Sequence, residues 1–365
     1  MAIIVAVIIG SAALLAGWLL WKGSRPTVPT PSQAEPDRAA RTPASAAATP
    51  AATATPDTLV AELNALSSAL WASALSTTAF GYVVPSEHAA VMLAARKALA
   101  ADPLSDRYFP RRPMLMPQLL AAVNDPDAPP LKLAGIIAQD PVLTGNILRL
   151  ANSVYFRLSA VPVESIQRAV VVCGTDGLQS LAATALVQPV FRGGSAEHSR
   201  FPAMLWERCT QASIAAELCA RKWCAADRQA AQLLALLSAL GPLVAYRVVE
   251  DQYRAQPGLR PAPAVFLQVI DRFARVMAGR IAALWQSPPR IVAALQVDES
   301  AEPLVRALRA GELLATLSLL AAAGRITEEE GAAHAEAAGV PAPLFATVWA
   351  RLHPPGESAP SPDVA

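Results

Sequence analysis

A stretch in the first half of the chain, AQDPVLTGNILRLANSVYF, combines a sharp helix start with polar side chains inside an apolar helix. Asp140 can accept a hydrogen bond from a backbone N–H as the N-cap, and Pro141 suits the first helical position, where its missing N–H costs nothing. Apolar residues then recur at helical spacing, with Arg149, Asn152 and Ser153 among or beside them. Because polar groups in such positions need hydrogen-bond partners, this helix must pack against a second part of the molecule or bind a partner.

The rest of the chain also favours helices over sheet. Alanine is abundant, aromatic residues make up 5% of the sequence, and β-branched runs are confined mainly to the N-terminus and to Val170–Val172. We therefore expect an all-α fold. The formal net charge is +1, with 30 basic and 29 acidic residues, and offers no broad electrostatic footprint for nucleic acid. A nucleic-acid partner is disfavoured.

Residues 2–21 carry no charged side chain and number about 20, enough to cross a hydrocarbon core of roughly 30 Å as a helix. Trp18 and Trp21 suit the membrane interface, and Lys22 and Arg25 mark the cytoplasmic side. These features predict a single-pass anchor in the inner (cytoplasmic) membrane, with the N-terminus outside and the remainder in the cytoplasm. A cleaved signal peptide is the alternative, but it would have a charged segment before a shorter apolar core.

Proline and composition divide the rest of the chain. Residues 22–56 are rich in Pro, Ala and Thr and predict a disordered linker that extends from the membrane. Residues 57–102 predict an amphipathic helical extension, and residues 103–300 the main domain. Residues 301–353 predict C-terminal helices that pack on this domain, and residues 354–365 a disordered tail.

Three helical patterns lead to specific expectations. An apolar stripe after residue 57 should pack on the domain, with pairing between two copies as the alternative; it consists of Leu59, Leu63, Leu66 and Leu70. The apolar run from Leu233 to Val249 fits a core helix interrupted near Gly241 and Pro242, and a second membrane span is its alternative. Thr327 and Glu330 should form a capping box.

The opening stretch resembles the signature of the HDOD family, bacterial all-helical domains related to the HD metal-dependent phosphohydrolases. The resemblance continues in IQRAVVVCG, where Ile166, Ala169, Val170 and Gly174 follow the family's spacing, and further matches extend to about residue 300. It implies a compact multi-helix bundle of the HDOD/HD-like type.

The resemblance also locates the positions where relatives carry metal ligands. Family members with residual metal sites resemble W-x-H, then LLHDIG, then a histidine eleven residues before a tryptophan, then a His-His pair ten residues after a proline. This chain keeps the scaffold positions Trp206, Leu236, Leu237, Leu240, Gly241, Trp285, Pro288, Ile291 and Ala294. The ligand positions are instead occupied by Arg208, Ser238, Ala239, Ala274, Asp298 and Glu299.

These replacements predict a protein that is not an enzyme and has neither metal nor cofactor. Phosphohydrolysis of the HD type needs imidazoles and carboxylates around a metal ion that activates water. Asp298 and Glu299 are more typical of a solvated turn than of a catalytic pair. No nucleotide-binding or nucleophile motif is present, and the four histidines (His88, His198, His334 and His353) fall outside the expected site.

Four cysteines occur without a CxxC pair: Cys173, Cys209, Cys219 and Cys224. Cys219 and Cys224 are separated by five residues on a probable helical stretch, about 140° apart at 100° per residue, and so point to different faces. We expect reduced thiols that act as small buried hydrophobes, not a metal site.

HDOD domains are regarded as output modules of bacterial signalling, often encoded with cyclic-dinucleotide or sensory components. The resemblance therefore implies a membrane-tethered, non-catalytic signalling domain that binds a protein partner or a small regulator in such a pathway. Candidate recognition residues, each with a structural role as a cap or a buried hydrogen bond as the alternative, are Asp140, Arg149, Asn152 and Ser153. Two other functions stay open: a divergent metal-dependent HD-type phosphohydrolase, and an inner-membrane scaffold that forms a homo-oligomer.

Overall fold

The computed structural model describes residues 56–75, 83–101, 108, 130–138, 141–153, 155–158, 161–188, 200–297 and 302–354. The chain divides into two compact units, residues 1–51 and 52–365, and all described residues belong to the second unit. The predicted membrane segment and linker up to residue 55 lie outside the described residues, as do Trp18, Trp21, Lys22, Arg25, Asp140, Asp298 and Glu299.

The described part of the chain is built from helices and contains no strand, which confirms the predicted all-α class. Its first half contains α1 (Pro56–Ala74), a 3-10 turn (Ser86–His88) that leads into α2 (Ala89–Ala100), α3 (Pro130–Ala138), α4 (Pro141–Ala151) and α5 (Ile166–Val187). Its second half contains α6 (Arg200–Cys219) with a π-helical turn (Ala220–Cys224), α7 (Arg228–Ser238), α8 (Leu240–Arg254), α9 (Pro263–Leu284), α10 (Pro289–Gln296), α11 (Pro303–Ala322), α12 (Glu328–Ala337) and α13 (Ala342–Leu352).

Helix α11 lies at the centre of the second half and packs against α6, α7 and α1. Almost every residue from Leu304 to Leu320 is buried. The approach of α11 to α6 is very close, because a Cβ added at Gly311 would lie 2.6 Å from the backbone nitrogen of Ala216. The sequence predicted C-terminal helices that pack on the domain, and the structure places the first of them inside the core.

Helix α1 is part of the same folded body. The four leucines of its stripe, Leu59, Leu63, Leu66 and Leu70, are all buried. The helix packs mainly on α11 and also contacts α9, α6 and α12. The expectation that the stripe packs on the domain is thus confirmed.

Two helical stretches are interrupted. A kink divides helix α5 at Gly174, whose φ of 70° lies in the left-handed region that glycine adopts without strain. The break between α7 and α8 falls at Ala239, slightly before Gly241 and Pro242. Pro242 sits in the first turn of α8, where a backbone N–H has no intrahelical partner, and so the proline fits a helix start.

The apolar pair α7–α8 passes a length and hydropathy test for a membrane span. Residues Arg228–Arg254 form the one such candidate among the described residues, and 83% of its most apolar window is buried inside the protein. Burial by protein in this way is typical of a core helix, as the sequence predicted for this run.

Local capping signals are also present in the structure. Thr327 accepts a hydrogen bond from the backbone nitrogen of Glu330, whose carboxylate accepts one from the Thr327 nitrogen, forming the predicted capping box. Glu302 accepts a hydrogen bond at 2.9 Å from the Val305 nitrogen and so caps α11. This cap fixes the start of the central helix.

Candidate functional site

Three of the positions that the family resemblance assigned to metal ligands lie around one cavity. Arg208 reaches it from α6, Ser238 from the end of α7 and Ala274 from the middle of α9. The cavity has a volume of about 110 Å³ and is partly open to water. Ala239 is buried next to Ser238.

Two further walls of the cavity come from α1 and α11. Helix α1 contributes Trp71 together with the polar residues Asn64, Ser67 and Ser68. Helix α11 contributes Arg309 and Glu312, which are three residues apart and therefore lie on the same face of the helix. The site is thus assembled from at least four helices.

Glu312 is the carboxylate at the centre of this site. Its Oε1 accepts a hydrogen bond of 2.8 Å from the Ser238 hydroxyl, and its Oε2 accepts one of 2.9 Å from Arg309. Burial by itself would raise the pKa of Glu312, but the positive charges of Arg309 and Arg208 and the hydrogen bond from Ser238 outweigh it and lower the pKa. Glu312 is therefore ionised at neutral pH, with both oxygens already engaged.

Arg208 is the second buried charge, with 5% of its surface exposed. Its Nε donates to Thr316 Oγ1 at 3.0 Å, and its guanidinium carbon lies 5.0 Å from the centre of the Trp71 ring. Burial lowers the pKa of Arg208 and the charge of Glu312 opposes that shift, but an arginine stays protonated at neutral pH. Two buried guanidinium groups, Arg208 and Arg309, thus face one buried carboxylate.

These residues do not fit a metal ion of the kind that HD phosphohydrolases use. Such an ion needs several imidazoles or carboxylates. The carboxylates that line this cavity are Glu312, which accepts hydrogen bonds from Arg309 and Ser238, and the exposed Asp271. The nearby guanidinium of Arg208 would repel a cation. In the parts of the chain that the structure describes, no group of three His, Cys, Asp or Glu residues is placed to hold a metal.

Sequence reasoning found one side of this site and missed the other. Arg208, Ser238 and Ala274 were located through the family spacing, while Arg309, Glu312 and Thr316 were not singled out. The available signal was an Arg-x-x-Glu pair inside an otherwise apolar helix, LVRALRAGELLATLSLL. A pair at this spacing is also typical of an exposed helix face, and only burial distinguishes the two cases.

The recognition residues that the sequence suggested lie elsewhere, on α4 and just after it. Arg149 is exposed and donates a hydrogen bond to Asn146. The Asn152 amide donates to the carbonyls of Leu148 and Val163, both at 2.8 Å, and accepts from the Val163 nitrogen at 2.7 Å. No described residue of α4 lines the cavity. The hydrogen bonds of Asn152 therefore hold the loop at Val163 against the end of α4.

We expect Asn152→Ala to lower the free energy of unfolding by about 1–3 kcal/mol, because it leaves the backbone groups at Val163 without their partners. Urea unfolding measures the change, and limited proteolysis should show faster cleavage between residues 155 and 165. Ser153→Ala is the matched control, since the Ser153 hydroxyl bonds only to the Leu150 carbonyl three residues earlier. Equal effects of both substitutions would contradict this role for Asn152.

The cysteines and histidines contribute no further site. All four cysteines are free thiols, and burial raises the pKa of Cys209 and Cys219, so that neither is a ready nucleophile. Among the described histidines, His88 bonds to Tyr253, His334 to Glu62 and His353 to Ser318. None of these three lines the cavity, and His198 lies outside the described residues.

Comparison with known proteins identifies the framework in which this site lies. Residues 109–301 match the model of the HDOD domain. Two crystal structures from Shewanella amazonensis are similar. One, an assumed metal-dependent phosphohydrolase, is 18% identical to this chain. Its alignment covers 73% of this chain and 100% of that protein, with a TM-score of 0.50. The other, an assumed phosphohydrolase, is 22% identical to this chain. Its alignment covers 71% of this chain and 94% of that protein, with a TM-score of 0.51. No curated protein matches the chain. At these identities the likeness shows a shared fold.

Proposed function

Because the chain belongs to the HDOD domain family, we propose that it is a non-catalytic regulatory protein that acts by binding a protein partner or a small regulator. The observation that carries this proposal is the buried set of Arg208, Glu312 and Arg309, in which Arg208 occupies a position that the family resemblance assigns to a metal ligand. A site with two guanidinium groups and one engaged carboxylate is suited to recognising a ligand.

The same residues are poorly suited to hydrolysis. A hydrolase must generate a nucleophile from water, by metal coordination or by a general base with a free lone pair. The pKa of Glu312 is lowered by the charges of Arg309 and Arg208 and by the hydrogen bond from Ser238, so this carboxylate is a weak base. The cations at the site would stabilise a bound anion without activating water to attack it.

Metal content and turnover of the purified full-length protein test this proposal. We expect manganese, iron and zinc well below one ion per chain, and no hydrolysis of bis-p-nitrophenyl phosphate with manganese added. Stoichiometric metal that is lost in Asp298→Asn, or turnover that this substitution abolishes, would favour the divergent phosphohydrolase. Thr347→Ala, at a half-buried position of α13 away from the cavity, is the control substitution.

We also propose that the protein works at the inner membrane, in a bacterial signalling pathway. This rests on the apolar residues 2–21 with their Trp18, Trp21, Lys22 and Arg25 flank. Affinity capture from membranes with the full chain, compared with a chain that lacks residues 2–21, tests the tether. We expect specific partners to be captured by the full chain and lost with the segment; identical partners in both captures would show that membrane attachment is not needed.

A further inference from the structure

The guanidinium of Arg208 has hydrogen-bond donors that the described protein does not use. Its Nε bonds to Thr316, but within the described residues no acceptor lies within hydrogen-bonding distance of Nη1 or Nη2. The side chain is 5% exposed and lines the cavity. Because Arg208 lines the partly open cavity, these four N–H groups are available to donate to a group bound there.

The charges around the cavity favour an anion as that occupant. The cationic lining residues are Arg208, Arg275 and Arg309, and the anionic ones are Glu312 and Asp271. Glu312 is bonded to Arg309, and Asp271 lies exposed at the rim. Among the described lining residues, three cations thus share two anions, and a bound anion would balance the remaining positive charge.

The size of the cavity limits what can enter. A volume of about 110 Å³ is well below the roughly 300 Å³ at which pockets begin to enclose drug-sized molecules. A nucleotide cannot be enclosed, but a group of about five heavy atoms can. A second, more open depression adjoins the cavity and shares Asn64, Ser68 and Asp271 with it. The remainder of a larger ligand can lie there, beside Arg96 and Arg272.

We propose that the cavity is a binding site for a phosphate group, either free phosphate or the terminal phosphate of a small metabolite, with the Nη groups of Arg208 as its principal donors. This inference rests on the proposed non-catalytic function, since a metal centre would occupy the same cavity. It assigns a ligand class to a position where related enzymes carry metal.

The arrangement of the donors favours phosphate over a carboxylate. A guanidinium can hold either anion through two parallel hydrogen bonds. A carboxylate is planar, however, and is satisfied by donors near one plane, whereas a phosphate directs its oxygens tetrahedrally. Donor side chains line this cavity from three helices: Arg208 from α6, Arg275 from α9, and Asn64 and Ser67 from α1. Donors on several sides match the tetrahedral group.

Isothermal titration calorimetry of the full-length protein with inorganic phosphate, at constant ionic strength, tests the site. We expect saturable binding of one phosphate per chain. Arg208→Lys keeps the charge but loses the planar fork and should weaken binding by roughly tenfold or more. Arg275→Gln, at a less buried position, should weaken it several-fold and covers the case in which the Arg208 variant fails to fold. Arg351→Gln, a part-buried arginine away from the cavity, should bind phosphate as the unchanged protein does.

Parallel titrations distinguish the source and the class of the anion. Glycerol 3-phosphate should bind at least as tightly as free phosphate, because its glycerol part can lie in the outer depression. Formate that binds as tightly as phosphate would overturn the assignment to phosphate. Phosphate binding that is absent at millimolar concentration, or equal in all three variants, would overturn the site and leave water as the occupant.

This result can be separated from a failure of the proposed function. Absence of phosphate binding in a metal-free, inactive protein removes the phosphate site and leaves the regulatory proposal intact. A stoichiometric metal ion or hydrolytic turnover would contradict both the phosphate site and the proposed regulatory function.

Discussion

Glu312→Gln is expected to lower the free energy of unfolding by about 3–5 kcal/mol, the range found when one partner of a buried ion pair is removed. Glutamine keeps the size and shape of the side chain but loses the charge that Arg309 and Arg208 face. Two guanidinium groups then stay buried without a counter-charge. Urea unfolding followed by far-ultraviolet circular dichroism measures the loss. Glu336→Gln, on an exposed position of α12, is the control and should change the free energy by less than about 0.5 kcal/mol.

The dependence of this effect on pH has a definite sign. The pKa of Glu312 is lowered in the folded protein, so its contribution to stability is fully present above its unfolded pKa of about 4.3. The contribution is lost as the pH falls through the lower, folded pKa. The difference in stability between the unchanged protein and Glu312→Gln should therefore be constant from about pH 5 to pH 8 and shrink below about pH 4. A difference that instead grew on acidification would show that Glu312 is not ionised in the fold.

Gly241→Ala is expected to cost about 3 kcal/mol or more, at or beyond the upper end for overpacking in a core. A Cβ at this position would lie 1.8 Å from the carbonyl oxygen of Ala274 and 2.7 Å from its carbonyl carbon. Both are backbone atoms of α9, so no side chain can move aside to relieve the clash. Thermal and urea unfolding measure the change.

Gly135→Ala is the matched control for this substitution. Gly135 lies on an exposed position of α3, and an added Cβ would have nothing within 4 Å. Alanine there should stabilise the protein by about 0.5–1 kcal/mol, because it restricts the unfolded chain and favours the helix. The two substitutions should therefore have opposite signs. A small effect of Gly241→Ala would mean that α8 and α9 can move apart, which the buried contacts between them argue against.

The close approach at Gly241 explains why this residue belongs to the scaffold that the chain shares with its family. It allows α8 to lie directly on α9, and so brings Ser238, just before α8, close to Ala274. The framework of the site depends on this contact, whatever side chains occupy the ligand positions.

The sequence predicted those features of the fold that depend on local chemistry. The helix that begins at Pro141, the capping box at Thr327 and the packing of the Leu59 stripe are all confirmed by the structure. The family spacing also located Arg208 and Ser238, which meet at one cavity. Caps, periodicity and spacing are properties of neighbouring residues, so a single sequence contains them.

The features that sequence reasoning missed depend on contacts between distant parts of the chain. The stripe on α1 indicated that the helix packs on something, but not that Trp71 would cover the guanidinium of Arg208. The break at Ala239 is set by how α7 and α8 pack, and not by the proline alone. Arg309 and Glu312 were not singled out because nothing local reveals that α11 is central. Their partner Ser238 is 74 residues from Glu312 along the chain.

Two walls of the cavity come from helices outside the residues shared with the family, since α1 ends before residue 109 and α11 begins after residue 301. A fragment limited to residues 109–301 would therefore keep Arg208 and Ser238 but lose Trp71, Arg309 and Glu312. It would lack the carboxylate that lowers the cost of burying Arg208, so binding measured on that fragment would not represent the full chain.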